Sequence, residues 1–348
     1  MAIPIKVLVV DDSSFMRRAI AGMLHTDPAI HVVGEAINGE DALKKIPILH
    51  PDIVTMDIEM PHLNGLDALK IIMKDMPLPV IMVSSLTEEG AKETIKALEY
   101  GAVDFIPKHI TGNIAGILNI KEELIKKIKI LGTKKIKSTS TPVSIQSRSI
   151  IENCPLAGRN KIKIVVIGAS TGGPKSLQEV IPRLPKQMPC GVLVIQHMLP
   201  LFTAAFAERM NELSQIEVRE AKDGDSIVPG LVLIAPGGLH LTVRKLRGDE
   251  AHVKLSKEPA MLHIPSVDVG MISVSEAYYE HTLGVIMTGM GHDGKEGMNA
   301  IKKNKGRTIA QNEETSVIFG MPKAAIESGC IDKIVSLDKI AEEIVNML

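Results

Sequence analysis

The chain has 348 residues, long for a single core, and that length points to two or three domains. A hydrophobic content of 45% and a charged content of 23% are ordinary for a soluble globular protein. The net charge of -1 argues against a partner held by phosphate neutralisation, and 2% aromatic residues with no Trp argue against base stacking, so no nucleic-acid partner is expected.

The start, MAIPIKVLVVDD, enters an apolar run at once without the layout of a signal peptide. No apolar run reaches membrane-spanning length, so a cytoplasmic location without membrane insertion is expected. Short apolar runs at 5–10, 30–35, 53–57, 80–84 and 103–107 read as strands. Helical patterns follow each, at 14–25, 39–49, 65–75, 87–100 and 112–131. Five such units predict a flavodoxin-like, doubly wound α/β layer with a five-stranded parallel sheet.

Polar residues collect where these strands end. Asp11 and Asp12 follow the first, Asp57 closes the third, Ser84 the fourth, and Lys108 follows the fifth. In such a sheet those ends meet at one edge. Three carboxylates there repel, and a hard divalent cation such as Mg²⁺ is their natural compensator. Asp57 could then accept a phosphoryl group whose oxygens Ser84 and Lys108 hold. Helix capping by Asp11 or Asp12, or a surface Lys108, would explain single positions but not the whole set. The stretches VVDDSSFMRR, TMDIEMPHLNGLDAL, MVSSLT and GAVDFIPK resemble the receiver domain of two-component response regulators. The resemblance implies Asp57 as phosphoacceptor and Asp11, Asp12 and Asp57 as the Mg²⁺ site, with the Glu59 backbone contributing. It also implies Ser84, Phe105 and Lys108 as the groups that sense phosphorylation. Receivers usually place proline after that lysine, whereas here His109 follows.

Residues 1–131 are thus expected to form one domain, and 132–161 a flexible tether rich in Lys, Ser and Thr. A basic functional arm is the alternative for the tether. Cys154, Cys190 and Cys330 are too few and too far apart for a disulfide framework or a four-cysteine zinc site, and read as inert thiols.

Residues 162–348 open on IKIVVIGASTGGP, a buried-strand run that stops at a glycine turn with Pro174 at a helix start. Ser170 then lies at a strand's carboxyl end beside helix N–H groups, a place suited to a nucleophile. A dinucleotide-binding turn fits the glycine spacing poorly. A plain tight turn with a surface serine stays open on this stretch alone. The next run, CGVLVIQ, places His197 directly past its end, and a helical pattern follows over 199–213. Turns at Asp223-Gly224, Pro229-Gly230 and Pro236-Gly237-Gly238 mark a β-rich excursion from the main sheet. His240 and His263 fall in or beside it and read as surface or core packing. A helix over 265–279 feeds a strand over 281–287, which ends in TGMGHDGKEGM. There Asp293 is the one carboxylate placed to orient His197. A metal site at His292-Asp293 lacks further ligands at suitable spacing. The tail alternates again, with a strand at 308–311 and helices near 322–328 and 338–348.

Ser170, His197 and Asp293 each follow a separate strand, and a mostly parallel, doubly wound sheet could bring them together. IGASTGGP, VIQHM, APGG, PSVDV and MTGMGHDG resemble the catalytic domain of the CheB family of chemotaxis protein-glutamate methylesterases. The resemblance implies a triad of Ser170, His197 and Asp293, with Thr171 and Met290 beside it and the Met290 N–H as oxyanion donor. It implies a serine hydrolase, without a cofactor at that site, acting on glutamate methyl esters and certain glutamines of methyl-accepting chemotaxis receptors. A CheA-type histidine kinase is the implied phosphodonor, and the unphosphorylated receiver is expected to block the cleft. Where the family often has a basic residue before PSVDV, this chain has Ile264. The competing readings are a phosphorelay adaptor without enzymatic activity and an esterase for a small diffusible ester.

Overall fold

Residues 3–108, 114–133, 162–245 and 250–348 are described by the computed structural model, with 114–119 described for backbone only. His109, Cys154 and all but the first two residues of the expected tether lie outside that description. By its internal contacts the chain divides into two units, Met1–Ser144 and Ile145–Leu348.

In the first unit, the apolar runs become strands and the amphipathic segments become helices. They alternate as β1 (Ile5–Val10), α1 (Ser14–Leu24), β2 (Ile30–Ala36), α2 (Gly39–Leu49), β3 (Ile53–Asp57), α3 (Gly65–Asp75), β4 (Val80–Ser84), α4 (Glu88–Tyr100), β5 (Asp104–Pro107) and α5 (Ile114–Leu131). Each helix from α1 to α4 starts where a polar side chain (Ser13, Asn38, Asn64, Thr87) accepts from the backbone N–H three residues on. All strand pairs are parallel, in the order β2-β1-β3-β4-β5. The order reverses between β1 and β3, which opens a crevice at their carboxyl ends. Gly65 lets the loop after β3 close tightly, since a Cβ there would stand 1.9 Å from the Asp57 carbonyl oxygen.

The second unit runs β6 (Ile164–Ala169), α6 (Gly173–Val180), β7 (Gly191–Gln196), α7 (Phe202–Leu213), β8 (Glu217–Glu220), β9 (Leu231–Ile234), β10 (His240–Lys245), β11 (Ala251–Ser256), α8 (Val267–Tyr278), β12 (Thr282–Ile286), α9 (Lys295–Lys303), β13 (Arg307–Gln311), α10 (Met321–Glu327), β14 (Lys333–Val335) and α11 (Leu337–Asn346). Seven of these strands form one parallel sheet in the order β14-β13-β12-β6-β7-β9-β8. The order reverses between β6 and β12, so their carboxyl ends flank this unit's crevice.

The β-rich excursion is narrower than the turn pattern suggests. β8 and β9 join the main sheet, because β9 is apolar and buried throughout and needs cover on both faces. Only β10 and β11 leave it, as an antiparallel pair in which β10 runs from buried to exposed and β11 alternates only over its first residues. Two elements carried no clear signal. α9 begins within the glycine-rich GHDGKEGM stretch, at Gly294 in a left-handed conformation (φ 96°), and β14 is three residues long. Along α8, Val267, Met271 and Val274 are fully buried one turn apart. A Cβ on Gly168 would stand 2.3 Å from Val267 Cγ1, so α8 lies directly on β6, with its N-terminus at the crevice.

Candidate active site

Ser170 directly follows β6. Its backbone N–H donates to the Thr288 carbonyl past the end of β12 (3.0 Å), and the Gln196 amide at the end of β7 donates to its carbonyl (2.9 Å). Thr288 Oγ1 in turn donates to the Thr171 carbonyl at 3.0 Å. The serine turn is therefore braced from both neighbouring strands. Gly172 takes φ 75°, and Gly289 approaches so closely that a Cβ on it would lie 2.9 Å from Ser170 Cβ. Glycine at both positions allows the turn and the loop after β12 to share one small volume.

His197 follows β7, and its ring is bonded at both nitrogens. Nδ1 is 3.1 Å from Ser170 Oγ, and Nε2 is 2.7 Å from Asp293 Oδ2. Asp293 also meets the N-terminus of α8: its oxygens accept from the Val267 N–H (2.7 Å), the Asp268 N–H (2.9 Å) and Ser266 Oγ–H (3.0 Å). Burial alone would push the Asp293 carboxyl up, but the His197 bond and charge and these N–H donors hold it well below the usual carboxylate range. With Asp293 ionised, Nε2 carries the ring hydrogen and Nδ1 is left to accept from Ser170. The adjacent Asp268 is pushed the other way, to about 6, by burial and then by the Asp293 charge, despite a bond from the Gly297 N–H.

Thr171 is buried and Met290 half-buried in the loops on either side of Ser170. Among the described residues, the backbone N–H of neither is spent on another group. Both N–H groups therefore remain open to a further acceptor. From their positions in the sequence, His240 and His263 are expected only to pack, at the surface or in the core. His240 is buried and fully hydrogen-bonded, but the His263 ring stacks on His197 with centroids 4.4 Å apart. No local pattern could have signalled that contact, because the loop after β11 delivers it. The PSVDV stretch did carry a signal for Ser266, the N-cap residue of α8.

The first unit gathers its own site at the β1/β3 crevice. Ligand oxygens of Asp11, Asp12 and Asp57 lie within 4.8 Å of one another. Three carboxylates this close present the hard oxygen set that suits Mg²⁺. Lys108 Nζ lies 2.6 Å from Asp57 Oδ2 and 3.3 Å from Asp11 Oδ2, and the Glu59 N–H donates to Asp57 Oδ1 at 3.2 Å. Burial pushes the Asp57 carboxyl up to about 6; Lys108 opposes the shift and Asp11 adds to it. Ser84 is turned towards α4, donating to the Gly90 carbonyl (3.1 Å) and accepting from Thr94 Oγ1 (2.6 Å). Phe105 is buried on β5, where its carbonyl accepts from Lys127 Nζ at 2.9 Å.

Comparison with known proteins gives one consistent picture. The family described as CheB methylesterase matches residues 165–344, and the response regulator receiver domain matches residues 7–115. A protein-glutamate methylesterase/protein-glutamine glutaminase from Pyrococcus abyssi is 45% identical, over 98% of this chain and 93% of its own length. A protein of the same name from Syntrophomonas wolfei is 46% identical over 99% of each chain. The crystal structure of the Thermotoga maritima CheB methylesterase catalytic domain is similar at a TM-score of 0.53 and 42% identity, covering 54% of this chain and 99% of that domain. With a receiver domain in front and a matching catalytic sheet behind, this chain belongs to the CheB methylesterase family.

Proposed function

We propose that the chain is a phosphorylation-activated serine hydrolase that removes methyl groups from glutamate γ-methyl esters of cytoplasmic chemoreceptor segments, and deamidates particular receptor glutamines. Residues 1–131 would be the receiver, 132–161 the tether and 162–348 the catalytic domain. The observation that carries the reading is the continuous chain of contacts from Ser170 Oγ to His197 Nδ1 (3.1 Å) and from His197 Nε2 to Asp293 (2.7 Å).

In this reading Ser170 Oγ attacks the ester carbonyl while His197 Nδ1 takes its proton. Asp293 holds the imidazole in the tautomer that can accept at Nδ1, and stabilises the cation that forms. The Thr171 and Met290 N–H groups face the oxyanion. His197 returns the proton to the departing methoxide, and methanol leaves. A water then gives its proton to the same nitrogen as it attacks the acyl-serine, freeing glutamate and restoring the hydroxyl. With a glutamine side chain the leaving group is ammonia, and the remaining steps are shared.

In the receiver, Asp57 accepts a phosphoryl group from a CheA-type histidine kinase in the cytoplasm. Asp11, Asp12 and Asp57 would hold Mg²⁺, which when bound neutralises charge on the phosphoryl oxygens. Lys108, already beside Asp57, pairs with the added charge, and the Ser84 hydroxyl leaves Gly90 and Thr94 to reach it.

Methanol release from a methylated receptor fragment tests the whole reading. The full-length chain should release it faster with Mg²⁺ and a small-molecule phosphodonor, and Asp57→Asn should remove that gain. Ser170→Ala should abolish release under both conditions. Retained turnover in that variant would remove Ser170 from the mechanism, and turnover of free small esters at the same rate would favour a different substrate class.

A further inference from the structure

His263 lies over the proposed general base. Its ring is stacked on that of His197, with centroids 4.4 Å apart and planes inclined by 19°. Both hydrogen bonds of His197 leave from ring nitrogens in the plane of the imidazole. Such bonds fix where the ring's edge points, but they tolerate a broad range of angles. Rotation about Cβ–Cγ within that tolerance tilts the ring plane and carries Nδ1 out of line with Ser170 Oγ. A flat partner on one face opposes that motion. It also covers the face: the His197 side chain is only 8% exposed, whereas His263 lies in solvent.

The segment that carries His263 is itself anchored. His240 is buried, and its Nδ1 accepts from the Ser266 N–H (3.0 Å) while Nε2 bonds the Pro259 carbonyl (2.9 Å). One imidazole thus ties residues 259 and 266 to the start of β10. Between them the Ile264 carbonyl accepts from the Gly238 N–H at 3.0 Å. Ser266 then continues to Asp293 through its hydroxyl. The clamp that holds the segment carrying His263 also sets a donor to Asp293.

We propose that His263 is a positioning residue for the hydrolysis, holding the His197 imidazole in the plane from which Nδ1 meets Ser170, with His240 as the staple that keeps it there. The inference rests on Ser170 and His197 being nucleophile and base. As His197 takes the serine proton, the cation formed lies against the π face of His263, and that contact strengthens with the charge.

The test uses the full-length chain and a fluorophosphonate probe, with labelling of the Ser170 peptide followed against probe concentration. His263→Ala and His263→Leu should lower the maximal labelling rate about tenfold, equivalent to about 1.4 kcal/mol of transition-state stabilisation. The half-saturating probe concentration should not move, and His263→Phe, which keeps a flat ring, should restore most of the rate. Labelling of His263→Ala at the wild-type maximal rate would overturn the proposal, as would a His263→Phe variant as slow as His263→Ala. A wild-type chain that the probe leaves unlabelled at Ser170 would instead fail the hydrolase reading itself, and the proposal with it.

Discussion

Asp57 and Asp293 each lie at the carboxyl edge of their unit's parallel sheet, and their surroundings shift the two carboxyls in opposite directions. Asp57 has Lys108 and the Glu59 N–H as partners, but Asp11 adds a like charge, and burial wins: its carboxyl is raised to about 6. Asp293 is half-buried and receives His197, Ser266 and backbone N–H groups at the start of α8, and it is held as a carboxylate. Depth contributes, since the Asp57 side chain is 1% exposed and that of Asp293 14%, but the number and kind of donors set the direction. In the proposed reading, the short-handed Asp57 takes on a cation and a phosphoryl group, whereas the saturated Asp293 serves as a fixed negative charge behind an imidazole.

The comparison can be broken at either aspartate. Asp293→Asn should have the largest effect. It removes the charge that fixes the His197 tautomer and turns an amide N–H towards backbone donors, so methanol release should fall about ten-thousandfold with little change in KM. A loss below about tenfold would show that Asp293 does not orient the base.

Asp57→Asn should act in the opposite sense on stability. The unfolded carboxyl titrates near 3.8 and the folded one near 6, so folding binds a proton between these values. Wild-type receiver stability should therefore fall as pH rises from about 4 to 6 and stay level above. Removing the charge should stabilise the receiver at pH 7 by about 1–3 kcal/mol in the absence of Mg²⁺, as read from its denaturation midpoint. Lys108 keeps Asp11 as a partner in that variant, which limits the loss. Destabilisation, or a wild-type midpoint that does not respond to pH over that range, would contradict the burial argument.

Ser266→Ala is the mildest change. It deletes a helix cap and one donor to Asp293, and should lower the catalytic unit's stability by about 1 kcal/mol. Its kcat should drop severalfold while Ser170 labelling persists. A kcat equal to wild type would mean that the remaining donors to Asp293 suffice.

Much of this organisation could be read along the chain. Ser170 and His197 stand directly past apolar runs and Asp293 follows a third within a glycine-rich loop, and a parallel sheet can bring such positions to one edge, so their meeting can be expected from the chain alone. The receiver's acidic residues were legible for the same reason. What could not be read depended on loops. His263 reaches His197 only because His240 ties down the segment after β11, and no periodicity encodes a contact made by an irregular loop. α9 was hidden because its start lies among glycines, which read as a loop, and β9 was misplaced because a short buried strand does not announce which sheet it joins.

The ionisation of these two aspartates is the most direct test of this contrast. Carboxyl-carbon NMR titration of the full-length chain, with resonances assigned through Asp57→Asn and Asp293→Asn, would follow both groups in one sample without Mg²⁺. Asp57 should titrate near 6, while Asp293 stays ionised for as long as its unit remains folded. If both titrate together near the ordinary carboxylate value, donor count does not separate their roles and the account is wrong.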